Sequence, residues 1–262
     1  MNSKNSLPPS VFPAKMQILS GSALKLIAVL VMLIDHVGAH ILNNLPQAKQ
    51  ALFIIPGFNI NILGLKMITA APFPVSLYRI SRDIGRIAFP IFCFLITEGF
   101  IYTHSRVKYG INLFLFALIS EIPWDLVHQN SLTYEKQNVY FTLFLGYLGI
   151  CAIEYLKDRP WIEVLSLLAL LYVSNVLKAD YGWRGFIFIL LLWVLRYEKA
   201  AQAIAGSCWM YWEWKACFAF IPINMYNGTR GFIKGRAFKY CFYLFYPLHL
   251  TVLWLIRFYV LP

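Results

Sequence analysis

From Leu24 onward the chain alternates long apolar runs with short polar turns, and the runs match a bilayer crossing better than a strand or a soluble helix. Leu24 to Leu42 is the first; at about 1.5 Å per residue it nearly crosses a hydrocarbon core. Ser20 or Ser22 is placed to cap it, and Pro46 ends helical continuation in the turn from Asn43 to Gln50. Ile80 to Tyr102, Tyr109 to Pro123, Val139 to Leu156, Trp161 to Val176, Trp183 to Leu195 and Tyr240 to Val260 read as further spans, with Pro123 closing the third. Ala51 to Ala71 is apolar but interrupted by Pro56, Gly57, Gly64 and Lys66, which predicts an interfacial or re-entrant segment. Ala201 to Ile221 is less regular because Trp209, Trp212, Glu213, Trp214 and Lys215 fall inside it. The pattern predicts an all-α, polytopic helical membrane protein of about eight transmembrane helices, within a range of about eight to ten. Without a long linker or internal repeat, residues 1–262 form one membrane domain, with a polar tail over 1–22 and a bundle over 24–260.

Composition agrees with the pattern: 60% of the residues are hydrophobic and mean hydropathy is +0.61. The formal net charge of +11 would suggest nucleic acid in a soluble chain. Here the cations flank apolar runs, as the positive-inside tendency and anionic lipid require, so membrane lipids are expected as partners and nucleic acid is not. Lys4, Lys15 and Lys25 predict a cytosolic N-terminus on a cytoplasmic membrane, and a removable signal peptide ahead of the first helix is not expected. The turn at Lys108 then belongs inside and the loop through Asn138 outside. Eight simple crossings would leave the basic loop from Asn224 to Lys239 outside, against the charge rule, so either the segment before it fails to cross or the loop departs from the rule for a functional reason. Five dispersed cysteines without a CxxC pair predict neither a disulfide framework nor a metal cluster, and no HExxH, GxSxG or Walker motif appears.

Asp35, His36 and His40 sit inside the first apolar run, where ionisable groups are costly unless they face a packed bundle or a wet cavity. His36 and His40 share a helical face, and imidazole near neutrality is suited to taking a proton from a nucleophile while a carboxylate orients it. The alternative is an interhelical polar clamp. Arg82 and Arg86 open the second run and are suited to phosphate or carboxylate, or form a cytosolic cationic edge. Glu98 and Glu121 need pairing or water, and His249 is either a second acid, a substrate ligand or a hydrogen-bonded histidine in a kinked helix. The loop around Asn227, with Gly228 and Gly231 permitting close approach, carries Arg230, Lys234 and Arg236, which suit nucleotide phosphates or anionic lipid.

At LIDHVGAHIL, RDIGRIAFPIFCFLITEGF, ALISEIPWDL, NVYFTLFLGYLGI, KADYGWRG, YNGTRG and KYCFYLFYPLHL the chain resembles the TraX family, in consistent order from Leu24 to Leu250. The resemblance implies an inner-membrane acyltransferase distantly related to acyl-CoA-dependent membrane enzymes, in a family named for a protein that acetylates the amino terminus of pilin. It implies acetyl-CoA or another acyl-CoA as donor, and as acceptor a protein or an envelope glycan or lipid. The family's blocks fall here on Asp35, His36, Arg86, Glu98, Glu121, Asp180, Tyr181, Asn227 and His249, among others. The expected mechanism places His36 as base, Asp35 as its orienter or charge balance and an arginine, Arg86 foremost, or an amide donor at the developing oxyanion, with Arg82, Arg86, Asn227, Arg230, Lys234 and Arg236 toward the cofactor and Glu98, Glu121, His249, His40, Asp180 and Tyr181 as further catalytic or acceptor-binding candidates. A solute or proton-coupled transporter and a non-catalytic envelope or pilus assembly factor are the competing readings.

Overall fold

The first apolar run folds as α1, Gly21–His40, with the Ser20 hydroxyl accepting from the Ala23 N–H at 3.3 Å to cap it. This computed structural model describes residues 10–56, 58–62, 65–70, 73–233 and 235–261, with the side chains of 58–62, 65–70, 73 and 236 left aside. After α1 the chain makes a 3-10 turn, Leu42–Asn44, and a single helical turn, α2, Pro46–Lys49, opened by its proline. The segment expected to be interfacial or re-entrant is extended where it is described. Its strands β1 (Phe53–Ile55) and β4 (Phe73–Val75) pair antiparallel, as do β2 (Phe58–Ile62) and β3 (Leu65–Ala70), in register Ile54↔Pro74 and Ile60↔Ile68. Its β-branched residues and turn formers favour a hairpin over a helix.

The second run divides into α3, Leu77–Gly85, and α4, Ala88–Tyr102, around Arg86 and Ile87, with Pro90 in the first turn of α4. Next come α5 (Arg106–Gln129), α6 (Val139–Leu156), α7 (Pro160–Val176) and α8 (Gly182–Val194). Pro123 does not close α5 as expected: the helix runs on to Gln129 and stops where Asn130 turns left-handed at φ 51°. Loss of a single backbone bond inside a long packed helix is tolerated in a membrane bundle. The run from Ala201 is not one helix but α9 (Lys199–Trp209), a 3-10 stretch (Tyr211–Ala219) kinked at Glu213, and α10 (Phe220–Asn224). Last is α11, Arg236–Leu255, which accommodates Pro247 and loosens into a π turn over Ile256–Val260.

Among the described residues five helical stretches are long and apolar enough to cross a membrane: Gly21–Asn44, Leu77–Tyr102, Arg106–Gln129, Val139–Leu156 and Ala237–Val260. Pro160–Val176 and Gly182–Val194 are shorter apolar helices. The chain is thus an all-helical, multi-pass membrane protein outside its small hairpin. The count falls short of about eight because α7 and α8 are shorter than the other five and the aromatic-rich Ala201–Ile221 segment bends back rather than running through.

Hydrogen bonds reveal which ends meet. Leu19 and Gly21 donate to Met225 and Thr229, so the basic loop lies at the start of α1. At the other end Gln137 and Asp180 bridge, Trp254 bonds Asn130 and the Arg257 guanidinium donates to the Val127 carbonyl. Trp209, at the end of α9, donates to the Arg184 carbonyl beside the start of α8, and Met225, after α10, is back at the Leu19 end. The segment from Lys199 to Asn224 is therefore a hairpin that returns to the end it left. Between the two ends lies a core of Leu24, Ala28, Phe94, Phe188 and Ile189.

Candidate functional site

The polar positions of α1 meet α3 because both helices carry a glycine at the contact. A Cβ on Gly85 would overlap the Asp35 carboxylate, and one on Gly38 would overlap the Ser81 hydroxyl. That close approach lets the Arg82 guanidinium reach Asp35 Oδ2 at 2.6 Å and its backbone carbonyl at 3.2 Å. Asp35 Oδ1 is buried without a hydrogen-bond partner. One turn on, Arg86 donates to Glu213 Oε1 at 2.8 Å, and the Tyr181 hydroxyl donates to Glu213 Oε2 at 3.4 Å. Lys215 pairs with Asp83, so two ion pairs fasten the bend of the α9–α10 hairpin to α3.

Asp35, Arg82, Arg86, Tyr181 and Glu213 line a cavity of about 560 Å³. Its wall includes Asp35, His36, His40, Arg82, Arg86 and Asp180, and Arg184 joins it from α8 with its guanidinium 4.8 Å above the Trp212 ring. The volume is in the range of small-molecule sites. Behind the wall, His36 Nδ1 lies 2.6 Å from His249 Nε2, and His249 Nδ1 lies 2.8 Å from the Phe245 carbonyl oxygen. His40 packs edge-on against His128 with ring centres 4.7 Å apart. The turn between α7 and α8 is held by backbone in unusual conformations: Lys178, Tyr181 and Gly182 have φ of 50°, 64° and 46°. The Thr142 hydroxyl donates to the Asp180 carbonyl, and Tyr181 stacks on Phe89. Burial, reinforced by the nearby Glu213 charge and opposed by Lys136, pushes the Asp180 carboxyl up to about 6.

The structure thus gathers Asp35, His36, His40, Arg82, Arg86, Asp180 and Tyr181 at one cavity, with His249 immediately behind. Asp35 is engaged with Arg82, and His36 with His249. Glu98 lies elsewhere, beside Lys199 and the Tyr226 hydroxyl. Glu121 accepts from the Asn138 backbone and side-chain amides at the start of α6 and does not line the cavity. The Asn227 side chain accepts from the Thr229 N–H and hydroxyl, shaping its own turn. Arg230 accepts at its carbonyl from Ser22. Ser22 lies thirteen residues before Asp35, about 20 Å along α1. Lys234 and the Arg236 side chain lie outside the described residues.

Glu213, Arg184, Lys136 and His128 complete the wall without having been singled out in the sequence. Glu213 offered one signal, an acid inside the aromatic YWEWK stretch. Among the described residues no group of three His, Cys, Asp or Glu side chains could hold a metal.

An apolar, multi-pass helical bundle that encloses ion pairs and imidazoles around a small-molecule-sized cavity defines an integral membrane protein with an internal polar site. The chain belongs to the TraX family: the model described as TraX protein matches residues 20–257. It is also similar to a protein of Dichelobacter nodosus named "Probable fimbrial assembly protein FimC, serogroup H1", at 28% identity over 205 residues, 67% of this chain and 82% of the relative. No solved structure matches.

Proposed function

We propose that the protein is a membrane-embedded acyltransferase that moves an acetyl group from acetyl-CoA to an amine or hydroxyl of a pilin-like protein or an envelope glycan or lipid. The observation that carries the reading is a half-buried imidazole, His36, on the wall of a cavity lined also by three guanidiniums, Arg82, Arg86 and Arg184. TraX family membership and the relative named as a fimbrial assembly protein support an envelope role and a pilus-related acceptor.

In this mechanism His36 removes the proton from the acceptor N–H or O–H as the nucleophile bonds the thioester carbonyl carbon. Arg86, steadied by Glu213 and Tyr181, faces the oxygen on which charge develops. Collapse breaks the C–S bond, and the leaving thiolate takes the proton back from His36. Arg82 and Arg86 are each already matched by a carboxylate, whereas the segment from Asn224 to Lys239 has Arg230, Lys234, Arg236 and Lys239 without an acid. The loop is the better phosphate site, and Arg82 and Arg86 are better suited to the thioester. The positive-inside rule puts the loop end, with Lys25, Arg106, Lys108 and Lys239, in the cytosol and the cavity at the far end. The bound donor must then extend about 21 Å from Arg230 to His36.

The test is transfer of labelled acetyl from acetyl-CoA by full-length protein in lipid supplied with envelope extract, comparing wild type with His36→Ala and Arg86→Ala. Loss of transfer in both folded variants is expected. A folded wild type that binds no CoA and moves no label would overturn the reading. Solute uptake without acetyl-CoA would then assign a transporter, and binding to pilin alone an assembly factor.

A further inference from the structure

The contact between His36 and His249 has a definite direction. A backbone carbonyl oxygen can only accept, so the His249 Nδ1 that lies 2.8 Å from the Phe245 carbonyl must carry a hydrogen. A neutral His249 then has a bare Nε2, and the nitrogen 2.6 Å away, His36 Nδ1, must be the donor. The rings meet edge to edge. Their planes differ by 8°, and the 4.9 Å between centres exceeds the 2.6 Å between nitrogens by about two ring radii, so the nitrogens point at each other along the line of centres. This aligns the N–H of one ring with the in-plane lone pair of the other.

We propose that His249 is a positioning residue that fixes His36 in the Nδ1–H tautomer and thereby makes His36 Nε2 the proton-accepting atom of the site. His249 does this from behind the wall: it is 7% exposed, whereas His36 is half-buried and lines the cavity. No described protein group bonds His36 Nε2, which leaves it for the incoming acceptor. The role is the one a buried acid plays toward histidine in hydrolytic triads, with the fixed Phe245 carbonyl as the ultimate orienting group. It differs in charge, because His249 orients without adding a negative group. A second proton on His249 would create a cation in a ring packed by Phe245 and Tyr246, with no carboxylate in contact. Asp35 is released from the orienting role and balances Arg82.

The catalytic consequence rests on the acyl-transfer reading; the tautomer does not. Two measurements on the full chain in lipid nanodiscs separate them. The first is the nitrogen spectrum of 15N-histidine-labelled protein, with His36 assigned by its absence from His36→Gln. Expected is a protonated Nδ1 and a bare Nε2. A His36 protonated on Nε2 alone, or a doubly protonated His249, overturns the proposal whatever the activity.

The second is acetyl-CoA turnover with envelope extract. His249→Leu removes the acceptor and is expected to lower kcat about 100-fold with little change in KM, the scale of a lost general base. His249→Gln can present its amide oxygen to His36 Nδ1–H and its NH₂ toward Phe245, and is expected to stay within about tenfold of wild type. Equal losses in the two variants, at equal thermal stability, would show that His249 merely fills space and would reject the proposal. Label transfer absent from wild type with the expected tautomer present removes the acyltransferase reading and leaves the His36 tautomer standing.

Discussion

Asp35 and Gly85 show how a single position fixes the electrostatics of the site. The carboxylate fits only because α3 has no Cβ at Gly85, so Gly85→Ala is expected to push Asp35 off Arg82 and destabilise by about 1–3 kcal/mol, as other overpacked contacts do. A thermal melt in detergent checks this. Asp35→Asn strands the Arg82 charge, at a cost on the order of 2 kcal/mol, below the about 3–5 of a fully buried pair because both side chains keep about a fifth of their exposure. Asp180 supplies a pH signature. Burial pushes its folded carboxyl up to about 6 from an ordinary value of 3.8, so ionisation weakens the fold. The penalty is fully present above pH 6 and relieved as pH falls toward 3.8, by about 3 kcal/mol in total. A melt at pH 5 should therefore exceed one at pH 7, and Asp180→Asn should flatten that difference; a flat wild-type profile would rule out the assignment. At this scale the sequence exposed the ionisable residues of α1 and α3, because charges in apolar runs stand out. Their pairing was not legible: whether Asp35 meets His36 or Arg82 depends on which helix lies across from it.

Elements were legible where a cap or a proline coincides with a change in hydropathy. Val139–Leu156 agrees with expectation at both ends because Asn138 accepts from the Tyr140 N–H at its start. Pro123 misled, since a long helix packed on both sides absorbs one missing donor. Ala201–Ile221 misled more, because its aromatic residues raise hydropathy without saying that the chain reverses at Glu213. The same reversal brings Glu213 to Arg86, so Glu213→Gln is expected to loosen the hairpin from α3 and reduce turnover more than CoA affinity, read by kinetics beside equilibrium binding. The basic loop carries the opposite expectation. Replacing Arg230 and Lys234 together by alanine should weaken CoA binding and flatten its salt dependence; unchanged affinity would remove the phosphates from this loop.

For the molecule as a whole, the charge-rule conflict disappears once the Lys199–Asn224 hairpin is seen to return to its starting end. The loop carrying Arg230 then shares an end with the N-terminal side of α1, where the rule puts it. Single cysteines at Lys136 and Thr229, in a background without the native five, test that arrangement with an impermeant maleimide. Lys136→Cys should label in intact cells whose outer layer is breached, and Thr229→Cys only after the inner membrane is opened.

A chain that doubles back once and otherwise runs end to end finishes opposite to where it began. Leu19 lies by the Arg230 loop, whereas Arg257 reaches the neighbourhood of His40. A reporter that works only in the cytosol should therefore light when fused ahead of Met1 and stay dark when fused behind Pro262. Affinity tags belong on the first of these, since a tag on the second would hang at the end of the bundle that holds the cavity.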